Sequence, residues 1–408
     1  MEWPVKQLTD VVESFHQGLN TAGEKIKFVD SGFPIIQTRN LSDGKIDLDK
    51  KIKYLSQVDW DKYREKYRPE IGDVFFTNIG TIGKTAVVNE SLDYLIHWNI
   101  FKIRPFEVDV SPNYLKCYLD FLTSTGYFCD SQKGGTVSFV TKKMMGAVEI
   151  PLPPIPEQQR IVAILDQAFA DIEKARANAE KNLKNARELF DNYLFGIFGR
   201  PHESWVETTV GDLCVKMEYG SSAKSQNEGE IPVLRMGNLQ KGEIDWTDLK
   251  YSADPEEIKK YMLQKGDVLF NRTNSDEHVG KTAIYRGEMP AIFAGYLIRV
   301  HRKQELLDGD FLNFYLNSSI ARDYGKTVMS RSVNQANINA SKLKEYPIIV
   351  PDMKTQNQLV SIFSSLKDEL ERLEKVYVRK LSLLDTLKKS LLQKAFSGEL
   401  TKSKGIAA

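Results

Sequence analysis

The sequence of 408 residues contains an internal repeat, which restricts the chain to folds made of two similar parts. The segment GDVFF at 72–76 returns as GDVLF at 266–270, and GKTA at 83–86 returns unchanged at 280–283. A Pro-rich segment that begins at Pro153 has a weaker second copy. Two copies of one unit of about 200 residues account for the whole length and predict two similar domains.

Each copy divides into a globular part and a helical part. Short β-like runs, such as VFF at 74–76, alternate with turn residues and short helical patterns over the first ~150 residues of a copy. The predicted fold class is mixed α/β, with two similar α/β domains separated by two long helices. The predicted boundaries are 1–152 for the first globular domain, 153–200 for the first helical region, 201–351 for the second globular domain and 352–408 for the second helical region.

Both helical regions carry apolar residues at alternating steps of four and three residues, which is the heptad pattern of a coiled coil. Each position recurs 198 residues later, so the two helices are predicted to pack together. Asn182 and Lys380 share one position of this pattern; either they fix the register as a polar pair, or helix drift turns both outward. The predicted seam residues are Ile161, Leu165, Ile172 and Leu189 in the first copy and Leu359, Phe363, Leu366, Leu370, Leu384 and Leu391 in the second.

The connectivity predicts that the two helices are antiparallel. The first helix leads into the second globular domain and the second helix leaves it, and the two ends of a domain usually lie close together. Parallel helices would separate those ends by a helix length, about 50 Å at ~1.5 Å per residue. Antiparallel packing avoids this separation. It predicts two globular domains at opposite ends of a helical rod, related by a pseudo-two-fold axis.

The charge balance excludes a protein that holds nucleic acid through a general basic field. The chain has 56 Lys and Arg residues against 55 Asp and Glu residues, a formal net charge of +1. None of the four predicted regions is strongly basic. Contact with nucleic acid would therefore require local patches, or a partner that supplies positive charge.

The sequence lacks the patterns of several other protein classes. Three cysteines without a CxxC pair and five scattered histidines give no zinc spacing and predict reduced thiols. The first residues, MEWP, show no signal-peptide pattern, and the longest apolar stretch, at 291–298, is too short to cross a membrane. We therefore expect a cytoplasmic protein without a membrane segment.

Catalytic motifs are missing as well. The segment GTIGKT at 80–85 looks like a P-loop, but Asn78 stands where the motif requires its first glycine, and the second copy has Ser275 there. The sequence contains no Asp/Asn-Pro-Pro-Tyr/Phe signature of an adenine methyltransferase, no convincing nuclease motif and no triad spacing. The residues therefore give no support for a catalytic role.

The predicted architecture suits a target with two separated and dissimilar marks. DNA is the natural candidate, because proteins with two-fold symmetry read half-sites about one helical turn apart. Two diverged domains on a pseudo-dyad predict an asymmetric, bipartite site, and two similar helical arms predict docking surfaces for two copies of one partner. The alternatives are a coiled-coil assembly scaffold whose globular domains bind proteins, and a nuclease or methyltransferase that acts alone.

The chain resembles the specificity subunit of type I restriction–modification systems over essentially its full length. The resemblance is carried by PPIPEQQRIV at 153–162, by the GDV motifs at 72–74 and 266–268, and by the tail LLQKAFSGEL at 391–400. The second Pro-rich segment, VPDMK at 350–354, departs from the family pattern.

The resemblance implies a DNA-reading subunit without catalysis of its own. The two globular domains would be target-recognition domains, each reading half of a bipartite site in double-stranded DNA, and the helical rod would set the spacer. Two modification subunits would methylate adenine with S-adenosylmethionine, and restriction subunits, which are translocase–nucleases, would cleave unmodified DNA. This chain is then expected to hold no cofactor, with S-adenosylmethionine, ATP and Mg²⁺ bound by the partner subunits.

Candidate DNA-binding residues occupy corresponding segments of the two copies. The loop between the GDV and GKT motifs spans 11 residues in the first copy (72 to 83) and 14 in the second (266 to 280), as different half-sites would require. Polar segments at 132–138 and 330–337 form a second pair. The alternatives are a variable surface turn for the loops and a polar connection that caps the sheet for the second pair.

The Arg and Asn residues that recur in both copies suit phosphate contacts or shared structure better than base recognition. We expect Arg331, Asn334 and Gln335 most strongly to contact bases. The residues predicted to contact DNA are Arg39, Asn40, Thr77, Asn78, Thr81, Lys84, Lys133, Thr136 and Ser138 in the first copy, and Arg235, Asn238, Asn271, Arg272, Thr273, Asn274, Lys281, Arg331, Ser332, Asn334 and Gln335 in the second.

Overall fold

The computed structural model describes residues 3–42, 44–128, 139–200, 202–332 and 335–402. The chain forms two compact units: unit 1 contains residues 1–179 and 379–408, and unit 2 contains residues 180–378. Each of the two long helices therefore contributes one part to each unit. The finer four-part division expected from the sequence stays a prediction.

Unit 1 is a mixed α/β unit. Strands β2, β10, β7 and β8 form an antiparallel sheet in that order, β6, β3 and β9 form a mixed sheet, β1 pairs with β11, and β4 pairs with β5. The strands are Val5–Gln7 (β1), Val12–Gln17 (β2), Phe33–Ile36 (β3), Leu41–Ser42 (β4), Lys45–Ile46 (β5), Lys53–Leu55 (β6), Val74–Thr77 (β7), Thr85–Val87 (β8), Leu95–Ile96 (β9), Ile100–Pro105 (β10) and Glu149–Pro151 (β11). The helices are Gln57–Tyr67 (α1), Pro112–Ser124 (α2), Lys142–Gly146 (α3) and the first part of Ile155–Gly199 (α4).

Unit 2 repeats this topology. Strands β13, β22, β18 and β20 form the antiparallel sheet, β17, β14 and β21 form the mixed sheet, and β12 pairs with β25 and β15 with β16. A further sheet has the order β19, β24, β23. The strands are Val206–Thr209 (β12), Cys214–Tyr219 (β13), Ile231–Leu234 (β14), Leu239–Gln240 (β15), Glu243–Ile244 (β16), Lys250–Ser252 (β17), Val268–Asn271 (β18), Thr273–Asn274 (β19), Thr282–Ile284 (β20), Ile292–Phe293 (β21), Leu297–Arg302 (β22), Ser330–Ser332 (β23), Gln335–Asn337 (β24) and Pro347–Val350 (β25). The helices are Pro255–Tyr261 (α5), Gly309–Asn317 (α6), Ser319–Val328 (α7), Ala340–Lys344 (α8) and Met353–Phe396 (α9), of which α9 ends in unit 1.

The GDV motif marks the central buried strand of each unit. In β7, Val74 and Phe76 belong to the apolar cluster that α2 covers, whereas Phe75 belongs to a second cluster on the other face. A strand covered on both faces is apolar at consecutive positions, and the same pattern holds for β18 in unit 2. Gly72 and Gly266 precede these strands with φ near +90° (+90° and +89°), a conformation that L side chains rarely adopt, so both copies use glycine.

Helices α4 and α9 pair in antiparallel fashion within each unit, as the sequence predicts. In unit 1 the beginning of α4 meets the end of α9: the Lys388 Nζ atom lies 3.5 Å from Glu173 Oε1, and Arg176 forms an ion pair with Asp385. In unit 2 the end of α4 meets the beginning of α9, where the Arg187 Nε atom donates to Glu374 Oε1 at 2.6 Å. The rod and the pseudo-two-fold relation between the units stay predictions.

The heptad seam predicted for these helices is correct only in part. Ile161, Leu165, Ile172 and Phe363 are buried, and Leu359, Leu370, Leu384 and Leu391 are half-buried. Leu189 is 73% exposed and Leu366 is 39% exposed, so both assignments are wrong.

Helix drift explains the exposure of Leu189. An α-helix with 3.6 residues per turn rotates by about 20° per heptad against a strict 3.5-residue repeat. Beyond Ala179 the covered face of α4 therefore moves by one position, to the half-buried Leu183 and Phe190 and the buried Leu194. Asn182 and Lys380 are exposed, which favours the outward orientation over the polar pair.

The tail motif at 391–400 packs into unit 1. Leu392 and Ala395 are buried in the same apolar cluster as Ile161 and Leu165. The ring of Phe396 lies 5.0 Å from that of Tyr118 between ring centroids. The tail is therefore part of the core of unit 1. In the described part of the chain, no helix combines the length and the apolar character that crossing a membrane requires.

Candidate nucleic-acid interface

In unit 2 the structure brings the two predicted DNA-binding segments together. Strand β24 lies between β19, from the loop after the GDV strand, and β23. Thr273 pairs with Asn337, and Arg331 pairs with Ala336 across the sheet. We call the described residues of 271–281 and 330–337 the unit 2 rim. Two segments about 60 residues apart in the sequence thus form one polar surface.

Three of the predicted DNA-binding residues, Asn271, Thr273 and Asn274, are buried or half-buried and stabilise the rim through hydrogen bonds. Asn271 is fully buried, and its Nδ2 donates to the carbonyl oxygen of His278 at 3.3 Å. Thr273 is 8% exposed and its Oγ1 accepts a hydrogen bond from Asn337 Nδ2 at 2.7 Å. The half-buried Asn274 accepts a hydrogen bond from the backbone N–H of Ser275 at its Oδ1. These contacts fix the loop and leave little of the three side chains available to a ligand.

Three predicted DNA-binding residues of the rim, Arg331, Ser332 and Gln335, have exposed side chains. The Arg331 Nε atom donates to Asp276 Oδ2 at 2.8 Å, and both side chains are more than half exposed. The Ser332 Oγ donates to the backbone carbonyl of Gln335 at 3.2 Å, and the side chain of Gln335 is exposed. Because Asp276 neutralises Arg331, this arginine would have to leave an ion pair before it could contact DNA. Asn334 lies outside the described residues.

Arg272 occupies a separate place at the inner edge of the rim. Its guanidinium carbon lies 4.7 Å from the centre of the Tyr219 ring, within the range of a cation–π contact. Its Nε is hidden from solvent and has no acceptor among the described residues. The half-buried Lys281 lies further along the same loop, in a groove lined also by Lys241 and Phe314.

In unit 1 the corresponding loop, 77–84, is held by hydrogen bonds of its own side chains. Thr77 is fully buried; its Oγ1 donates to the Thr81 carbonyl at 2.6 Å and accepts from the Lys84 N–H at 2.9 Å. The Lys84 Nζ reaches the Thr38 carbonyl at 3.4 Å. Thr77 is therefore structural, and Thr81 is the exposed tip.

Asn78 stands at the place in unit 1 that Arg272 occupies in unit 2. Its side chain is fully buried, and both polar atoms lack a partner among the described residues. The backbone N–H of Val140 donates to the Asn78 carbonyl at 2.8 Å, so the chain after the second polar segment passes beside it. Lys133, Thr136 and Ser138 lie in 129–138, outside the described residues.

In unit 1, His97 lies beside Asn99, whose carbonyl accepts the Asn78 N–H. Burial lowers the pKa of His97 below its ordinary value of 6.5. Its Nδ1 lies 2.9 Å from Asn99 Oδ1, and its Nε2 lies 3.2 Å from Thr21 Oγ1. Both ring nitrogens are therefore engaged inside the unit, and His97 orients Asn99.

The repeated Arg and Asn residues serve the turn before each small hairpin. Asn40 is 1% exposed and Asn238 is 3% exposed, and both amides bond to nearby backbone groups. Arg235 donates to the carbonyl oxygen and carboxylate of Asp248, while the exposed Arg39 donates to Gln37 Oε1. Of the two alternatives, shared structure fits the asparagines, and Arg39 keeps the exposure that a phosphate contact needs.

Sequence reasoning missed the partners of Arg272 and Arg331. Neither Tyr219 nor Asp276 was predicted to belong to the site, although the Tyr219 ring lies against the Arg272 guanidinium and Asp276 forms an ion pair with Arg331. Alignment of the two copies residue by residue could have indicated Tyr219, because Gln17 ends the equivalent strand in unit 1. Among the described residues, no group of His, Cys, Asp and Glu could hold a metal ion.

Comparisons with known proteins find the same family at both copies. The model described as "Type I restriction modification DNA specificity domain" matches residues 1–181 and 202–378. The StySPI specificity subunit of Salmonella potsdam is 25% identical, over 91% of this chain and 83% of its own length. Two solved chains share the fold at 19% identity: one from a study of complex assembly and conformational transition of the type I R-M system (TM-score 0.78, 98% of each chain), and the HsdS subunit from Thermoanaerobacter tengcongensis (TM-score 0.59, 98% and 97%).

Proposed function

The chain belongs to the type I restriction modification DNA specificity family, whose domain it carries twice, and from this premise we propose that each unit reads one half of an asymmetric, bipartite DNA site. The chain is thus a specificity subunit of a type I restriction–modification system. The identity of the two half-sites is set by side chains on the unit 2 rim and on the corresponding loop of unit 1.

The observation that carries this proposal is a shared backbone with different side chains. The N–H of Asn78 donates to the Asn99 carbonyl at 3.1 Å, and the N–H of Arg272 donates to the Tyr296 carbonyl at 3.0 Å. The backbone at this position is therefore the same in both units, while an amide in one is replaced by a guanidinium in the other. Such a pair of positions supports recognition of two different base sequences on one scaffold.

We further propose that this chain is non-catalytic and that two modification subunits dock on its helices. Leu189 and Leu387 occupy the same position of the repeat, 198 residues apart, and are 73% and 47% exposed. Two equivalent apolar positions support two equivalent docking surfaces. S-adenosylmethionine, ATP and Mg²⁺ would bind to the modification and restriction subunits. The cytoplasmic location stays a prediction.

The test is a map of methylated adenines in cells that express this chain together with its modification subunit. We expect one asymmetric motif with two specified halves and a gap of fixed length. The modification subunit alone is the control and should give no motif. A continuous or symmetric motif would contradict two different readers. Methylation or cleavage by the purified chain alone, with S-adenosylmethionine and Mg²⁺, would contradict the non-catalytic role.

A further inference from the structure

Unit 2 holds at its rim one arginine, Arg272, whose charge none of the described residues neutralises. The Arg272 guanidinium lies over the Tyr219 ring and makes no hydrogen bond or ion pair with the described residues, and its Nε is hidden and lacks an acceptor. Arg331, on the same rim, donates to Asp276. A half-buried guanidinium that has no anionic partner in the described part of the chain keeps its N–H donors free for an acceptor on a ligand.

Both groups of this pair are held in place by backbone contacts. The N–H of Arg272 donates to the Tyr296 carbonyl at 3.0 Å, and its carbonyl accepts from the Ile338 N–H at 2.9 Å. The Tyr219 hydroxyl accepts a hydrogen bond from the Ala340 N–H at 2.9 Å, at the beginning of α8. The Tyr219 ring and the Arg272 backbone are therefore fixed before any ligand binds. A fixed donor loses less conformational entropy on binding than a free surface arginine does.

We propose that Arg272, supported by Tyr219, is the side chain with which unit 2 recognises a guanine in its half-site. The inference rests on the proposed function and deepens it. The guanidinium presents parallel N–H donors in a rigid, planar fork to the O6 and N7 acceptors of guanine in the major groove, a geometry that the flexible ammonium of lysine lacks. Tyr219 is a positioning residue that keeps the fork in one orientation.

The equivalent positions of unit 1 carry different chemistry. Gln17 stands where unit 2 has Tyr219, since each residue ends its strand and is followed by a glycine whose N–H donates to the corresponding neighbouring strand, β10 in unit 1 and β22 in unit 2. Asn78 stands at the position of Arg272, and it is fully buried. No charged fork exists at this position of unit 1. The guanine contact is thus specific to the half-site that unit 2 reads.

The experiment compares methylation maps and DNA binding of the complex with modification subunits, for the parent chain and for Arg272→Lys, Arg272→Ala and Tyr219→Phe. Lys265→Ala is the matched control: it removes an exposed positive charge in the turn before β18, at the end of that strand away from the rim. We expect Arg272→Ala to weaken binding to the cognate site by about 10- to 100-fold and to other DNA by less than about threefold. One G·C position of one half-site should become degenerate. Arg272→Lys should weaken the same preference, because the ammonium lacks the rigid fork, whereas Tyr219→Phe and Lys265→Ala should keep it.

Three outcomes would overturn the inference, and one of them separates it from the proposed function. If the parent complex methylates a bipartite site and both Arg272 variants keep the full motif, the inference fails and the proposed function stands. An equal loss of binding on all sequences, restored by Arg272→Lys, would make Arg272 a phosphate contact. A parent complex without any bipartite motif would overturn both.

Discussion

Two asparagines hold the turn that leads into the small hairpin of each unit. Asn238 accepts a hydrogen bond from the backbone N–H of Arg235 at 2.9 Å and donates to the carbonyl oxygens of Asp245 and Thr247 at 2.9 and 3.0 Å. Asn40 makes corresponding contacts in unit 1. Because each amide is buried and its nitrogen and oxygen both bond to the backbone, neither side chain is available to read DNA.

We therefore expect Asn238→Ala to lower stability without altering recognition. The change leaves buried backbone groups without partners, which costs about 1–3 kcal/mol in the free energy of unfolding. Urea unfolding of the chain would measure the loss, and a methylation map would show an unchanged motif. Gln240→Ala, at an exposed position of the same hairpin, is the control. A changed motif with unchanged stability would show that Asn238 reads DNA.

Single residues were predicted with uneven success for a physical reason. The sequence shows which segments are polar, and the repeat shows that they correspond. It does not show that Asp276 pairs with Arg331, because that ion pair joins residues 55 positions apart through a sheet formed only in the fold. The role of Arg331 as the leading base contact stays a prediction, and the geometry now favours Arg272.

At the scale of elements, a buried glutamine locks each long helix to its globular unit. Gln158 is fully buried in the first turns of α4; its Oε1 accepts from the Ser111 N–H at 2.9 Å, and its Nε2 donates to the carbonyls of Asp109 and Pro153. Gln356 repeats the arrangement in α9 with Asp308, Leu306 and Pro351. The degraded Pro-rich segment of the second copy thus keeps the residue that makes the junction.

Replacement of Gln158 should destabilise unit 1 strongly. In Gln158→Ala three backbone groups lose their partner, and we expect a loss of about 2–4 kcal/mol in the free energy of unfolding. Chemical denaturation followed by circular dichroism would measure it. The adjacent Gln159 is exposed, so Gln159→Ala should change stability by less than ~0.5 kcal/mol. Equal effects of the two substitutions would contradict the locking role.

The hairpin of β15 and β16 joins α9 through ion pairs that depend on pH. Burial raises the pKa of Glu243, but hydrogen bonds from Arg286 and Lys367 outweigh it and hold the pKa below the ordinary value of 4.5. The Lys367 Nζ lies 2.7 Å from Glu243 Oε1. A carboxyl group whose pKa is lower in the folded state stabilises the fold above its unfolded pKa, and this contribution is lost as pH falls through the folded pKa.

We therefore expect the hairpin to open more often as the pH falls below about 4.5. Hydrogen–deuterium exchange of residues 237–246, corrected for intrinsic rates, should accelerate between about pH 6 and about pH 3.5. Glu243→Gln should exchange faster at the upper pH and show a weaker pH dependence. Glu256→Gln, at an exposed position of α5, should behave as the parent chain. Identical profiles for Glu243→Gln and the parent would contradict the assignment.

The long helices show how far periodicity alone can lead. The heptad pattern predicted their existence and pairing, because a stripe of apolar residues must be covered, and the connectivity predicted their direction. The heptad pattern failed at Leu189, since it assumes that a 3.5-residue repeat is kept over the whole helix, whereas the covered face follows 3.6 residues per turn.

At the scale of the whole molecule, the duplication accounts for most of what could be predicted. Two copies of GDV and GKT imply two copies of one sheet, and β2-β10-β7-β8 is repeated as β13-β22-β18-β20. The strand order within each sheet was not predicted, because the pairing of short strands is decided by contacts between segments that lie far apart in the sequence. The repeat also places the two chain ends in one unit, since α9 returns to unit 1.

That return makes the chain suitable for circular permutation. The Trp3 ring packs against Gly398, where an added Cβ would lie 3.4 Å from Trp3 Cζ2, so a short Gly/Ser linker can join the two ends. We expect a permutant opened between His202 and Glu203, in the connection between α4 and β12, to assemble with modification subunits and to methylate the parent motif.

A permutant opened between Leu269 and Phe270 cuts the buried strand β18 and should fail to assemble, because both residues are almost fully buried. Loss of assembly in the first permutant, with the joined ends intact, would show that the covalent link between α4 and β12 is required and that the antiparallel contacts of α4 and α9 do not suffice.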